Sequence, residues 1–384
     1  LIAAVWWLGL VAAACSIAYQ LLALAAVALW RPRFGPGWAS PPQVTVLKPM
    51  YGVEDGLDAA VASCFAQAVD FPVRYVLGFH RESDPALALA RQVAERFPEL
   101  DVTFVVDETV HGLSPKMTNL INMANGGGLS EVVVLSDSDT FMEPGELQEA
   151  VDALSAPGVG TVTALYRARP GIAGNPMRMF GAWFIDYWFL PMAALHARLG
   201  PLAVTYAPLT AIRREVLDAI GGLEALADEF ADDNALGRLV RQAGWEVAFT
   251  PRSTATLAND PTARELYIHE LRWSRTVRGI DFPGFAASVV THPGPLPLLL
   301  LVSPGALALG LIGGGVLLRW LLARAVVGRF GSSAGLRTPG PLGLWLRDNF
   351  NFAVWAGAFA VRHVDWRGQK IALDGSNTPY RRAA

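Results

Sequence analysis

The chain has 384 residues, of which 52% are hydrophobic and only 17% charged, below the roughly 25% of ordinary soluble proteins. A net charge of −3 gives no basis for a nucleic-acid partner. The two cysteines, Cys15 and Cys64, lack metal-ligand spacing and read as free thiols, so neither a disulfide framework nor a zinc site is expected.

The apolar excess is uneven, as in a chain that joins a soluble domain to membrane segments. Residues 1–30 contain no charged side chain. As a helix they would run roughly 45 Å, more than the roughly 30 Å hydrocarbon core, and so would cross with tilt. A cleaved signal peptide is set aside because the run is too long and has no basic leader. In "WRPR", Trp30 serves as interfacial anchor and Arg31 and Arg33 as inside charges, which places the following residues in the cytoplasm.

From Val44 to about Thr250, short β-branched runs alternate with helical patterns. "VTVLK", "RYVLGF", "DVTFVV" and "EVVVLS" read as parallel strands covered on both faces. "DGLDAAVASCFAQA" and "DPALALARQVAERF" read as the helices between them. The predicted class is α/β, with a mostly parallel sheet that binds ligands at the carboxyl ends of its strands.

Residues 172–199 are dense in aromatics and methionine, and read either as buried core or as a segment at the lipid interface, which we favour. A long apolar run, 296–318, is interrupted by Pro304 and glycines and continues to 327 with Arg319 and Arg324. A short stretch, 350–361, is flanked by Arg347 and Arg362. Hydropathy leaves open which of these C-terminal segments cross, re-enter or lie flat.

Three motifs carry chemistry. In "VLSDSD", Asp137 and Asp139 stand at i and i+2 just past a strand and share a face. Two such carboxylates repel each other unless a cation joins them, and Mg²⁺ or Mn²⁺ prefers oxygen ligands and also neutralises phosphates. Alone the motif is equally a turn. In "ADDNALGRLVRQAGW", Asp232 and Asp233 open a helix, where a cap and the dipole would suit them in any case. In "HELRW", His269, Arg272 and Trp273 lie on one helical face, a cation and an indole suited to a pyrophosphate and a bound sugar or lipid. An isolated Trp packed in a core with a snorkelling Arg would look the same.

Together, in this order and spacing, the motifs resemble the inverting membrane-bound GT-A glycosyltransferases. The resemblance is to the ceramide glucosyltransferase-like family, on the side of its bacterial hopanoid-biosynthesis members. "VTVLKPMYGVED", "SPKMTNLINM", "VLSDSD", "REVLDAIGGLEALADEFADDNALGRLVRQAGW", "HELRW" and "FAVWAGAFAVRHVDWRGQK" carry it over nearly the whole chain. Two positions depart from the family pattern. "GFHRESDPAL" keeps Asp84 but has Arg81 or Glu82 at the earlier aspartate position, and His269 stands where Gln or Arg is usual.

The resemblance implies a transmembrane helix (1–31), a cytosolic GT-A domain (42–290) with 172–199 and 274–290 at the interface, transmembrane or re-entrant helices (294–363) and a cytosolic tail (364–384). It implies Asp137 near the nucleotide ribose and Asp139 on a divalent metal. Asp233 becomes the general base, and Arg272 and Trp273, with His269, hold the diphosphate. Pro49, Glu54, Asp84, Lys116 and Asn119 become candidates around the uridine diphosphate; Lys116 is otherwise an ordinary solvated lysine. The implied activity is transfer from a UDP-sugar, favoured as UDP-N-acetylglucosamine, to a lipid hydroxyl, favoured as a hopanoid, at the bacterial inner membrane. Ceramide with UDP-glucose, a polysaccharide synthase and an inactive nucleotide-sugar binder are the alternatives.

Overall fold

The computed structural model describes residues 1–384 apart from 32–33, 171–174, 201, 230, 333–335, 361–362, 367–368 and 373–384. Arg33, Arg362 and the end of the expected tail lie outside the described residues. The chain divides into two compact units. One comprises Arg31–Ile172 and Gly200–Asn259, the other Leu1–Trp30, Ala173–Leu199 and Asp260–Ala384.

The first unit is built on a seven-stranded sheet. Its strands are β1 (Val44–Pro49), β2 (Val73–Phe79), β3 (Asp101–Val106), β4 (Val132–Ser136), β5 (Val159–Thr163), β6 (Leu209–Arg213) and β7 (Glu246–Phe249), in the order β3-β2-β1-β4-β6-β5-β7. All neighbours run parallel except β6, which is antiparallel to both β4 and β5. The four runs singled out in the sequence are β1 to β4. β1 and β4 are buried on both faces because helices cover them, so neither shows a polar alternation. Pro115–Gly127 is one such helix, and Gly127 touches β2 so closely that an added Cβ would come 2.7 Å from Val76. The core of this unit runs from Val44, Val46 and Val134 through Leu77 and Phe79 to Leu147 and Leu154. Beyond the carboxyl end of β4 lies a smaller sheet of Thr140–Phe141, Thr254–Ala258 and Tyr166–Pro170, with the central strand parallel to the last and antiparallel to the first.

The second unit is helical. Ile2–Ala28 and Ala306–Phe330 are long and apolar enough to cross a membrane, and a third span arises if Phe282–Thr291 and Leu296–Val302, bent by 54°, act together. The run that began at residue 296 therefore breaks before 306. Pro304 lacks the N–H an uninterrupted helix needs, and Gly305 adopts an extended conformation as N-cap. The N-terminal helix packs through Ala13 on Leu300 and Ala308, and at its end Trp30 meets Phe330 at 5.8 Å between rings.

The stretch seen as short and apolar near 350 is part of a 20-residue helix, Pro341–Ala360, whose Arg347, Asp348 and Asn351 are buried. Their partners explain how charge survives there. Arg319 holds Asp348 through two bonds of 2.8 Å, and Arg347 pairs with Glu270 beneath the rings of Phe180, Phe184 and Phe350. Within 176–199 two helices flank a wider π-turn at Ile185–Phe189, and Arg319 donates to the carbonyl of Tyr187 there at 2.7 Å. A short antiparallel pair, His363–Trp366 with Gln369–Ala372, follows.

Candidate active site

The site is assembled at the carboxyl end of β4, beside the point where the parallel order gives way to antiparallel β6. Strand β4 is buried throughout, and the chain leaves it as a tight turn over Asp137, Ser138 and Asp139. What holds that turn is a residue the sequence reading did not single out. Lys48, at the end of β1 and 1% exposed, donates to the carbonyl of Asp137 at 2.7 Å, to that of Thr140 at 3.3 Å and to the Ser136 hydroxyl at 3.4 Å. Burial pulls its ammonium below its ordinary pKa, while Cys64, Asp139 and Asp137 act in the opposite sense. In the sequence Lys48 reads only as the charge that ends an apolar strand.

The two carboxylates then diverge. Asp139 accepts a hydrogen bond from the Thr256 hydroxyl at 2.8 Å, and its carbonyl accepts the N–H of Leu257, so the small sheet pins it. Asp137 turns to Lys116, whose ammonium sits 2.8 Å from it and 2.9 Å from Asp232. Lys116 occupies the second helical position after Ser114, an N-cap that accepts the N–H of Met117, followed by Pro115. Its side chain is 23% exposed and doubly paired, so the structure removes the reading of an ordinary solvated lysine. Burial works against its charge, but Asp137 and Asp232 outweigh it and hold its pKa above the ordinary value.

Asp232 and Asp233 open the helix Asp232–Gln242, as the pattern predicts, but neither caps it. Ala231 is the N-cap, with no side-chain bond. Asp232 is spent on Lys116. Asp233 accepts the N–H of Asn234 at 2.8 Å, and its carbonyl accepts both the hydroxyl (2.8 Å) and the N–H (3.2 Å) of Thr205. Burial, and then the charge of neighbouring Asp232, push the Asp233 carboxyl up to about 7, against the opposing effect of Lys116. Asp137 is also raised by burial, which Lys116 opposes and Asp139 and Asp232 reinforce. Asp139 is raised by burial, with the Thr256 hydroxyl opposing and Glu54 reinforcing. Tyr166, in the small sheet, is raised well above its usual range by burial and then by Asp233. Tyr206 is raised in the same way, by burial and then by Asp233; neither tyrosine was legible as a site residue, because nothing local in "LYRARP" or "VTYAPL" announces a carboxylate contributed from elsewhere.

The remaining candidates of this unit have scaffold roles here. Asn119 is 3% exposed and donates to the carbonyls of Gly78 (2.9 Å) and Met50 (3.4 Å), tying the ends of β2 and β1. Asp84 caps the helix Pro85–Ala94 through the N–H of Ala86 and also accepts the N–H of Gly52 at 3.0 Å. It thereby fixes the loop after Pro49, which closes β1. Glu54, exposed on that loop, accepts from Asn259 at 3.2 Å.

His269, Arg272 and Trp273 belong to the other unit, on the helix Ala263–Ile280. His269 Nδ1 lies 2.9 Å from Asp260, and its ring centre is 4.2 Å from that of Trp273, as expected at i and i+4. Trp273 stacks on Phe184 at 6.0 Å, and the carbonyl of Arg272 accepts the hydroxyl of Thr276.

The donor set can be tested against a divalent cation. Lys116 engages one oxygen of Asp137, and the Thr256 hydroxyl donates to one oxygen of Asp139. Two half-buried carboxylates held at elevated pKa are a fitting place for a hard cation. Among the described residues, no group of three or more His, Cys, Asp or Glu side chains could hold a metal by itself, so further ligands would have to come from elsewhere. That matches Mg²⁺-type sites, which take one or two carboxylates and complete the shell with phosphates and water.

A mostly parallel sheet carrying an acidic turn past its central strand is the GT-A glycosyltransferase fold. A mannosyltransferase from Pyrobaculum calidifontis, solved with GDP-Man and Mn2+, shares it at a TM-score of 0.56 and 18% identity, over 92% of this chain and 99% of that one. The family model for Glycosyl transferase family 21 matches residues 8–378, and the chain belongs to that family. Its relatives include Ceramide glucosyltransferase 1 of Caenorhabditis elegans, 24% identical over 60% of this chain and 49% of the relative. Another is a ceramide glucosyltransferase of Gibberella zeae, 30% identical over 33% of this chain and 25% of the relative. The chain thus spans about half the length of the first and a quarter of the second.

Proposed function

We propose that this family 21 chain is a membrane-bound inverting glycosyltransferase that moves a sugar from a UDP-sugar to the hydroxyl of a lipid. The observation that carries the reading is the bridge made by Lys116, which joins the D-x-D turn to the D-D helix start and leaves Asp233 beside the pair. Asp233 is the general base. With its carboxyl at about 7 it is substantially ionised near neutral pH and basic enough to draw the proton from an alcohol as the oxygen attacks the anomeric carbon. Single displacement needs one base and no covalent intermediate. Asp139, with Asp137, would hold Mg²⁺ or Mn²⁺, which when bound neutralises the diphosphate charge. Pro49, Glu54, Asp84, Lys116 and Asn119 shape the nucleotide side, and Arg272 and Trp273, with His269, serve the departing diphosphate.

For the specific reaction we favour UDP-N-acetylglucosamine and a hopanoid, on motif similarity, at the bacterial inner membrane with the catalytic domain in the cytoplasm. The names of the matched relatives favour a second version, UDP-glucose with ceramide. The test is incubation of the purified full chain with a panel of UDP-sugars and lipid extracts, read by product mass. A glycolipid that forms with wild type and not with Asp233→Asn supports the reading. Turnover that yields only free sugar, or transfer that survives Asp233→Asn, overturns it.

A further inference from the structure

Within the helical unit, a cleft opens between the N-terminal helix, the helix Ala306–Phe330 and the start of Pro341–Ala360. It holds about 30 Å³ of enclosed space, and about 480 Å³ with its open mouth included. Most of its wall is aliphatic, but its lining includes Ser16, Gln20, Arg319 and Asp348, respectively 3%, 1%, 5% and 1% exposed. Two of the three helices are those long and apolar enough to cross a membrane. A polar lining there is costly unless it has a partner.

The charges are already satisfied. Arg319 and Asp348 form a bidentate pair, and the third Arg319 bond goes to Tyr187. Gln20 is different. Its amide nitrogen reaches Ser16 at 3.3 Å, a long bond, and its Oε1 is buried with no partner among the described residues. A buried amide end without a partner is destabilising. The cleft also has room beside it. Gly315, on the opposite wall, would carry a Cβ that meets nothing within 4 Å.

We propose that this cleft binds the hydroxyl end of an uncharged membrane lipid, with the hydroxyl on Gln20 and the apolar body along the aliphatic walls. A hydroxyl both donates and accepts, so it satisfies either end of the amide. The enclosed space is enough for a group of about that size. With Arg319 neutralised by Asp348, no free positive charge in the lining selects an anionic headgroup. The site requires the two long helices to lie in a membrane but does not depend on the proposed transfer chemistry.

The test uses the full chain in detergent micelles and an octadecanol that carries a mid-chain diazirine, with labelled peptides located by mass spectrometry. Labelling should fall in the helices around Gln20 and Gly315. Octadecanol should compete for it, whereas octadecane and octadecyl phosphate should not. Gln20→Leu should lower labelling at least about fivefold, the loss expected for one buried hydrogen bond. Gly315→Phe should abolish it by filling the cleft. Asp233→Asn should leave it unchanged, which separates this site from the transfer reaction. Equal competition by octadecane, preferential competition by the phosphate, or full labelling of Gln20→Leu would each overturn the proposal. The wild-type competition decides the matter even if Gln20→Leu fails to fold.

Discussion

The two units bury charge in opposite ways. In the helical unit two buried ion pairs are matched one to one, Arg319 with Asp348 and Arg347 with Glu270; Arg319 also meets a carbonyl, and Arg347 meets aromatic rings. In the sheet unit Asp137 and Asp232 share the ammonium of Lys116, Asp139 and Asp233 lie close by, and the buried ammonium of Lys48, whose hydrogen bonds go to neutral acceptors, also feels the charges of Asp139 and Asp137. Balanced pairs hold helices together. Four carboxylates near two lysines leave an excess of negative charge, which a metal ion or a proton can offset.

The largest expected effect comes from removing the carboxylate proposed as the base. Asp233→Asn should fold, retain UDP-sugar binding and lose transfer by about 10²–10⁴-fold in single-turnover assays. Asp232→Asn, which disturbs a lysine pair and removes no base, should lose much less; the reverse order would transfer the base role to Asp232. A balanced pair should respond in stability instead of chemistry. Arg347→Met strands Glu270 and should cost about 3–5 kcal/mol in unfolding measurements, with most of it recovered when Glu270→Leu is added. No recovery in the double variant would mean that Arg347 acts through its aromatic contacts alone.

A smaller effect should appear in the pH profile. The proposed base would work ionised, so kcat/KM should rise with pH through about 7, the value to which burial pushes Asp233. Lys116 lowers that value, so Lys116→Met should move the rising limb to higher pH, each unit of movement costing about tenfold at pH 7. A limb that stayed in place would show that Lys116 does not tune the base. The smallest change should follow Thr256→Val, which removes one hydrogen bond to Asp139. A several-fold weaker metal activation constant, about 1 kcal/mol, is expected with the maximal rate little altered.

The same contrast explains what could be read from the sequence. β1 to β4 were legible because strands covered on both faces appear as short uninterrupted apolar runs, and the acidic motifs because each is local. Lys48, Tyr166, Tyr206 and Thr256 were not, since each owes its place in the site to a partner far along the chain. Arg347 misled in the other direction. As a charge flanking "FNFAVWAGAFAV" it looked like the end of an apolar stretch, when it lies inside a helix beside Asp348, and the partners of the two, Glu270 and Arg319, come from other helices. Counting charge along a sequence misses charge that is cancelled in space.

The central claim is that the acidic cluster requires a cation before it accepts a diphosphate. Titration of the full chain with UDP-sugar in Mg²⁺ or Mn²⁺, and again in excess chelator, tests it most directly. The account predicts an affinity at least about tenfold weaker in chelator, since an unscreened diphosphate would face Asp137 and Asp139. It also predicts that Asp139→Asn abolishes this metal dependence. Equal affinity with and without the cation would contradict it.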